Sequence, residues 1–96
     1  MAFNFRAPIA NHAFKLYFGA KLPETEPERL NHEAVKIALE GLSRRKVELL
    51  RLVYLDEAEK ISDAVKAVAW DEEVPEVVIW KLVRNATRKF AEARKL

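Results

Sequence analysis

The side chains of this sequence that could do chemistry are mostly cations, and they are concentrated in residues 74–96. Six Lys or Arg residues stand there against two Glu, beside an asparagine and a threonine. Arginine can pair bidentately with guanine and asparagine with adenine, whereas lysine and threonine suit phosphate oxygens. Five of these side chains should project from an apolar stripe or flank it: Lys81, Arg84, Asn85, Thr87 and Arg88. They predict a surface that contacts DNA.

A second basic cluster, Arg44, Arg45 and Lys46, stands at a predicted helix start. Its charges could neutralise phosphates on a second strand. The net charge alternates along the chain, basic over residues 1–22, 43–55 and 76–96 and acidic over residues 23–42 and 56–75. A basic block is a candidate polyanion site, and an acidic block is a candidate contact for a basic partner. Alternatively, neighbouring helices of opposite sign simply complement each other.

The groups that enzymes use for covalent or metal chemistry are missing or isolated. There is no cysteine, which excludes disulfides and thiolate ligands. His12 and His32 lie far apart in sequence, and neither has a second ligand at metal spacing. With only two glycines, a phosphate-binding glycine-rich loop is excluded. We therefore expect a protein that is not an enzyme and that uses no metal or cofactor.

The composition is that of an ordinary globular domain, with 50% hydrophobic and 33% charged residues. Ninety-six residues allow one domain, whose core is just large enough to stand alone. No apolar run approaches the roughly 18 residues that a membrane span requires. Polar residues also interrupt the N-terminal stretch too often for the core of a signal peptide. These observations predict a cytoplasmic protein with no membrane partner.

The elements that must position the cations are predicted to be helices. Apolar residues recur with a helical period, and no stretch alternates for long enough to form a strand. We expect an all-α fold, a compact bundle of four to five helices in a single domain, residues 1–96. Its parts are an aromatic N-terminal segment, residues 1–22, a linker, residues 23–29, and a helical core, residues 30–96.

Capping residues mark the predicted helix boundaries. Asn31, Ser43 and Ser62 each precede a helical pattern and can accept a hydrogen bond from a first-turn N–H. Pro75 is predicted as the first residue of the last helix, because it has no N–H to lose and its φ is already helical. The apolar stripe of that helix comprises Val78, Ile79, Leu82, Val83, Ala86 and Phe90.

The N-terminal segment is rich in aromatic residues that something must cover. A helix that starts at Pro8 and ends at Gly19 would carry on one face Ile9, Ala13, Leu16 and Tyr17. The segment either docks on the core of its own chain or forms a homodimer contact. The interface residues in the second case would be Phe3, Phe5, Phe14 and Phe18.

Residues 42–96 carry a family resemblance. Their segments LLRLVYL and ATRKFA resemble region 4 of sigma-70-type factors, and phage transcription activators of the autolysin-regulator type are similar. The resemblance implies a helix–turn–helix in the C-terminal half of a bacterial or phage DNA-binding protein. Lys66 stands where the family has a small residue, and Trp70 stands near its turn glycine. We expect a turn longer than the family's, containing Asp71, Glu72 and Glu73.

Two functional hypotheses follow. The first is a small DNA-binding transcription regulator, phage or bacterial, that uses the basic C-terminal helix. The alternative is a non-enzymatic protein interaction module, namely an adaptor, inhibitor or assembly subunit, that uses the acidic residues 56–76 and the aromatic N-terminus. Trp80 would then anchor the interface, because tryptophan is a common hot-spot residue.

Overall fold

The helical period of the apolar residues yields five α-helices in residues 7–96, the part of the chain that this computed structural model describes. No strand occurs in that part, so the predicted all-α class is confirmed. In chain order the helices are α1 (Ala7–Phe18), α2 (Glu26–Leu39), α3 (Arg44–Leu55), α4 (Ile61–Glu72) and α5 (Glu76–Arg94).

Helix α5 is the centre of the core. It contacts all four other helices, and its longest interface is with α2. The predicted stripe is confirmed at its buried members, which are Ile79, Leu82, Val83, Ala86 and Phe90. Val78 is the exception: it lies at the edge of the stripe, and 48% of its surface is exposed. A fully buried phenylalanine such as Phe90 contributes about 1.5–3 kcal/mol through burial alone.

Helix α1 closes the core through its aromatic residues. Phe14 is fully buried, and its ring centroid lies 5.1 Å from that of Tyr54 and 6.0 Å from that of Phe90. Phe18 packs against the same cluster. The structure therefore favours docking on the chain's own core: Phe14 is fully buried, so its prediction as a dimer contact is wrong, and Phe18 is partly buried. Phe3 and Phe5, the other two residues of that prediction, lie outside the described residues.

The buried face of α1 differs from the predicted one. Ala10, Ala13 and Phe14 are buried, whereas Ile9 is exposed. A hydrogen bond also joins α1 to α3, because the Tyr54 hydroxyl donates to Asn11 Oδ1 at 2.8 Å. Burial raises the pKa of Tyr54, so this hydroxyl keeps its proton and remains a donor.

Helix α2 begins earlier than predicted. Thr25 is its N-cap: the Thr25 side chain accepts from Glu28 N at 3.3 Å, and Glu28 Oε1 accepts from Thr25 N at 3.0 Å. The predicted Asn31 cap is wrong, and residues 26–29 of the predicted linker are helical. Only Thr25 has a glutamate three residues later, which completes a capping box. Asn31 Oδ1 instead accepts from Arg94 Nε at 2.7 Å and ties α2 to α5.

The two serine caps have opposite outcomes. Ser43 is confirmed, because its Oγ accepts from Lys46 N at 3.2 Å at the start of α3. Ser62 is wrong as a cap, because α4 already begins at Ile61 and its N-cap, Lys60, makes no side-chain capping bond. Ile61 packs against the core, and this contact extends α4 beyond its best capping residue.

The turn between α4 and α5 is shorter than predicted. Asp71 and Glu72 belong to α4, which leaves only residues 73–75 in the turn. Glu73 adopts the left-handed conformation, with φ 55 and ψ 44, and Val74 N donates to Ala69 O at 3.0 Å. This is the geometry with which many helices end. Pro75 is the N-cap of α5 and not its first helical residue.

Candidate functional site

A groove of about 600 Å³ runs between the end of α2, the start of α3 and the middle of α5. Leu49 of α3 and Leu82 and Ala86 of α5 are buried residues that the hydrophobic period turns toward the core. At the groove their outer edges form an apolar floor. The full set of apolar lining residues is Ala38, Leu42, Leu49, Val78, Leu82 and Ala86.

The rim of this groove is cationic. The four cations that line it are Lys46, Lys81, Arg88 and Lys89, accompanied by the amide of Asn85. Within the described residues, no Asp or Glu lines the groove. Lysine and arginine stems can cover apolar surface while their charges stay in water. A concave site with one sign of charge concentrates its field, so this groove attracts anions.

Helical spacing explains how α5 supplies most of the rim. Lys81, Asn85 and Lys89 recur every four residues, and Arg88 stands beside them, so these side chains lie on one face. Lys46 reaches the same groove because Ser43 starts α3 three residues earlier. Four predicted DNA contacts are thereby brought together: Lys46, Lys81, Asn85 and Arg88. Lys89 was missed, although the same four-residue spacing identifies it.

Two predicted contacts on α5, Arg84 and Thr87, do not line the groove. They share the opposite flank of the helix with Trp80, at three- and four-residue spacing. The Thr87 hydroxyl faces two carbonyls of its own helix, Val83 O at 3.0 Å and Arg84 O at 3.1 Å. A phosphate oxygen only accepts hydrogen bonds, so Thr87 must break its internal bond before it can donate to one.

The predicted cluster at the start of α3 is divided. Only Lys46 lines the groove. Arg45 Nη1 donates to Glu72 Oε1 at 2.7 Å, so its charge is partly neutralised by the end of α4. Arg44 is exposed outside the groove lining. A phosphate that approached Arg45 would have to compete with Glu72.

The exposed tryptophan is Trp70 and not Trp80. Trp80 is partly buried and packs against the core, so its predicted role as an exposed anchor is wrong. Trp70 is 85% exposed. It follows Ala69 in a helix whose inward positions include Val65 and Val68, so a step of one residue turns it away from the core. The sequence pattern predicts that this helix ends at Trp70. A residue at a helix end has no regular position around the helix axis, so the pattern did not identify Trp70 as exposed.

The described residues offer little else for chemistry. Within residues 7–96, no group of His, Asp or Glu side chains could hold a metal ion. None of the five helices is both long and apolar enough to cross a bilayer. The Arg51 guanidinium donates to both Glu48 carboxylate oxygens, at 2.9 and 2.7 Å, and this lowers the pKa of Glu48. Arg51 is therefore a paired cation and a weaker candidate for binding an anion.

Comparison with known proteins identifies no relative: no family model, no curated protein and no solved structure matches this chain. The groove and its charges are therefore the basis for assigning a function.

Proposed function

We propose that this protein binds duplex DNA through the cationic groove, as a small transcription regulator of the phage or bacterial type. The observation that carries the proposal is the meeting of Lys46 with Lys81, Arg88 and Lys89 in one groove that no described carboxylate lines. Duplex DNA carries about one negative charge per 1.7 Å of its axis, so several closely spaced cations can contact phosphates at once. The two helices contribute to one binding surface.

The connection between α4 and α5 also supports the proposal. Three residues, 73–75, join the two helices, and a turn of this length is typical of a helix–turn–helix. In that motif the second helix enters the major groove. Asn85, exposed on α5 at the groove, is then the candidate for a base edge, while Lys46, Lys81 and Arg88 contact phosphates. The resemblance to sigma-70-type region 4 stays part of this proposal.

The acidic start of α5 limits which part of the helix approaches DNA. Glu73 and Glu76 are exposed at the α4–α5 turn, and phosphates repel them. Arg45 compensates only Glu72. The middle of α5, from Lys81 to Lys89, is therefore the proposed contact.

The test is fluorescence anisotropy with labelled duplex DNA between about 50 and 200 mM salt, a range over which phosphate contacts weaken binding steeply. The triple variant Lys46→Ala, Lys81→Ala, Arg88→Ala should bind more weakly. Its salt dependence, the slope of log K against log[salt], should fall by about 0.9 for each phosphate that the variant no longer neutralises.

A matched control removes the same charge elsewhere: Lys15→Ala, Lys36→Ala, Lys66→Ala, all exposed and none in the groove lining. It should keep the slope of the unmodified protein. Equal losses of affinity in the two triple variants would show that only the net charge matters and not the groove. Absence of binding by the unmodified protein at low salt would refute the proposal.

A second candidate function is a non-enzymatic protein interaction module. The observation that favours it is Trp70, which is 85% exposed beside the acidic end of α4. An exposed tryptophan on a rigid helix is a common anchor of protein interfaces. Absence of DNA binding by the unmodified protein, together with association that depends on Trp70, would favour this candidate over the first.

A further inference from the structure

Phosphate binding leaves the floor of the groove unexplained. The rim cations would contact DNA, but six of the lining residues are apolar and contribute nothing to a phosphate contact. Four of the six are buried in the core, whereas Leu42 is partly exposed and Val78 has 48% of its surface exposed. Covering this exposed apolar surface with another apolar group favours association. The occupant that gains most here is apolar in its centre and anionic around it.

The same chain exposes a surface of that kind, which we call the acidic corner: Trp70, Asp71, Glu73, Glu76 and Val77. Trp70 is 85% and Val77 66% exposed. The three carboxylates are exposed around them. Trp70 stands on a regular helix, and its side chain has few torsions to immobilise, so it loses little entropy when it binds.

We propose that two copies of this chain associate by seating Trp70 of one copy in the groove of the other. The indole covers the apolar floor, and Asp71 and Glu73 lie against Lys46 and Lys81 of the second copy. The charges match, because the corner is acidic and the groove is concave, basic and about 600 Å³ in volume. Pockets of about 300–1,000 Å³ accept whole ligands, so an indole and its neighbours fit.

For the apolar floor, as distinct from the cationic rim, a second copy is a better occupant than the chain's own tryptophan or the phosphates of a nucleic acid. Trp70 does not cover its own groove, because 85% of its surface is exposed and it is absent from the lining. A phosphate backbone presents no apolar group to the floor. A two-fold axis between the copies would fill both grooves at once and close the assembly as a dimer.

The first experiment is sedimentation velocity of the purified, nuclease-treated protein over a concentration series at low salt. We expect reversible association that added salt weakens, because rim charges are screened. Trp70→Ala should weaken association at least about tenfold, as a central interface tryptophan typically does. Leu22→Ala is the matched control, since Leu22 is 79% exposed and belongs to neither surface, and it should leave association unchanged.

A charge exchange tests the pairing itself. Lys46→Glu with Lys81→Glu reverses the groove, and Asp71→Lys with Glu73→Lys reverses the corner. Each double variant should be monomeric alone, because like charges then meet. Mixing the two should restore association, since the native corner of the first meets the native groove of the second and the two reversed surfaces also attract. All four positions are exposed, and circular dichroism checks that the variants fold.

Tryptophan emission reports where Trp70 goes. In Trp80→Phe, Trp70 is the only tryptophan, and its emission should shift to shorter wavelength as concentration rises and shift back with salt. A protein that stays monomeric at every concentration overturns the proposal. The same result is expected if the groove binds a different protein instead of a second copy. Association that persists in Trp70→Ala, or a mixture that stays monomeric, overturns it too. No step uses DNA, so failure of DNA binding leaves these outcomes unaffected.

Discussion

The groove and the acidic corner both include residues of α5, yet they are opposite in charge. The groove uses the middle of the helix, where Lys81 and Lys89 stand four residues either side of Asn85. The corner uses its first turn, together with the end of α4 around Trp70. One helix therefore contributes to both a basic groove and an acidic corner, and the formal net charge of +2 conceals this separation.

The difference teaches how charge is organised in a small helical domain. If helices of opposite sign simply complemented each other, ion pairs would join them. Within residues 7–96, Arg45 to Glu72 is the only salt bridge between two helices, while the others join residues of one helix. Complementation therefore operates at one place, between α3 and α4. The exposed charges that no ion pair engages stay available to a partner.

The largest effect should come from breaking the core that both surfaces share. Phe90 is fully buried and its ring lies 6.0 Å from that of Phe14, so Phe90→Ala leaves a cavity between α1 and α5. We expect a loss of about 3–5 kcal/mol in the free energy of unfolding, measured by urea denaturation. Leu22→Ala, at an exposed position, should change it by less than about 0.5 kcal/mol. A small effect of Phe90→Ala would mean that α5 does not organise the fold.

Neutralising the corner should improve DNA binding if the two surfaces oppose each other there. Glu73→Gln with Glu76→Gln removes two carboxylates from the α4–α5 turn while keeping side-chain size. We expect an affinity gain of about fivefold at low salt for each carboxylate that lies close to a phosphate, because each close like-charge contact costs about 1 kcal/mol. The gain should shrink as salt rises. Glu24→Gln with Glu33→Gln, which changes charge equally outside both surfaces, is the control, and an equal gain there would remove the local explanation.

The single bridge between α3 and α4 should matter less for stability. Arg45 and Glu72 are both partly exposed, with side-chain exposures of 54% and 29%. A double-mutant cycle with Arg45→Ala and Glu72→Ala, followed by urea denaturation, should give a coupling of about 0.2–1 kcal/mol. A coupling above about 2 kcal/mol would show that the bridge holds the two surfaces in place.

The smallest effect concerns acid conditions and Glu28, in the capping box at the start of α2, outside both surfaces. Hydrogen bonds from the backbone N–H groups of Glu24 and Thr25 lower the pKa of Glu28 in the folded protein. Its contribution is therefore present above the unfolded value near 4.5 and is lost as pH falls through the lower folded pKa. The stability difference between the unmodified protein and Glu28→Gln should shrink over that window. A difference independent of pH would contradict the capping role.

Periodicity and capping chemistry were sufficient to predict much of the fold. The boundaries of α3 follow from the Ser43 cap and the spacing of Leu49, Leu50 and Val53. The buried residues of α5 follow from the same helical period. The start of α2 was missed because Thr25 and Asn31 both qualify as caps. The end of α4 was missed because Asp71 and Glu72 are polar, and polar residues suit an exposed helix end as well as a turn.

The candidate site was predicted only in part, for a different reason. The cations of α5 follow from one helix, so Lys81, Asn85 and Arg88 could be placed on one face. The groove depends on where α2 and α3 cross α5, and no local pattern encodes that. The orientation of Trp70 depends on α4 extending past it, and the inward packing of Trp80 depends on the residues that surround it. Such orientations are set by tertiary contacts, which a local sequence pattern does not encode.

The aromatic cluster around Phe14 has a consequence for how the chain folds as it is synthesised. Phe14 belongs to α1, the first helix described, yet two of its ring partners are Tyr54 of α3 and Phe90 near the end of α5. Helix α2 likewise packs mainly on α5. A nascent chain that has reached only α4 can form local helical turns but has no complete surface to cover Phe14. The fold therefore completes only after α5 leaves the ribosome. Until then, the apolar faces of the early helices stay uncovered and the nascent chain must avoid aggregation.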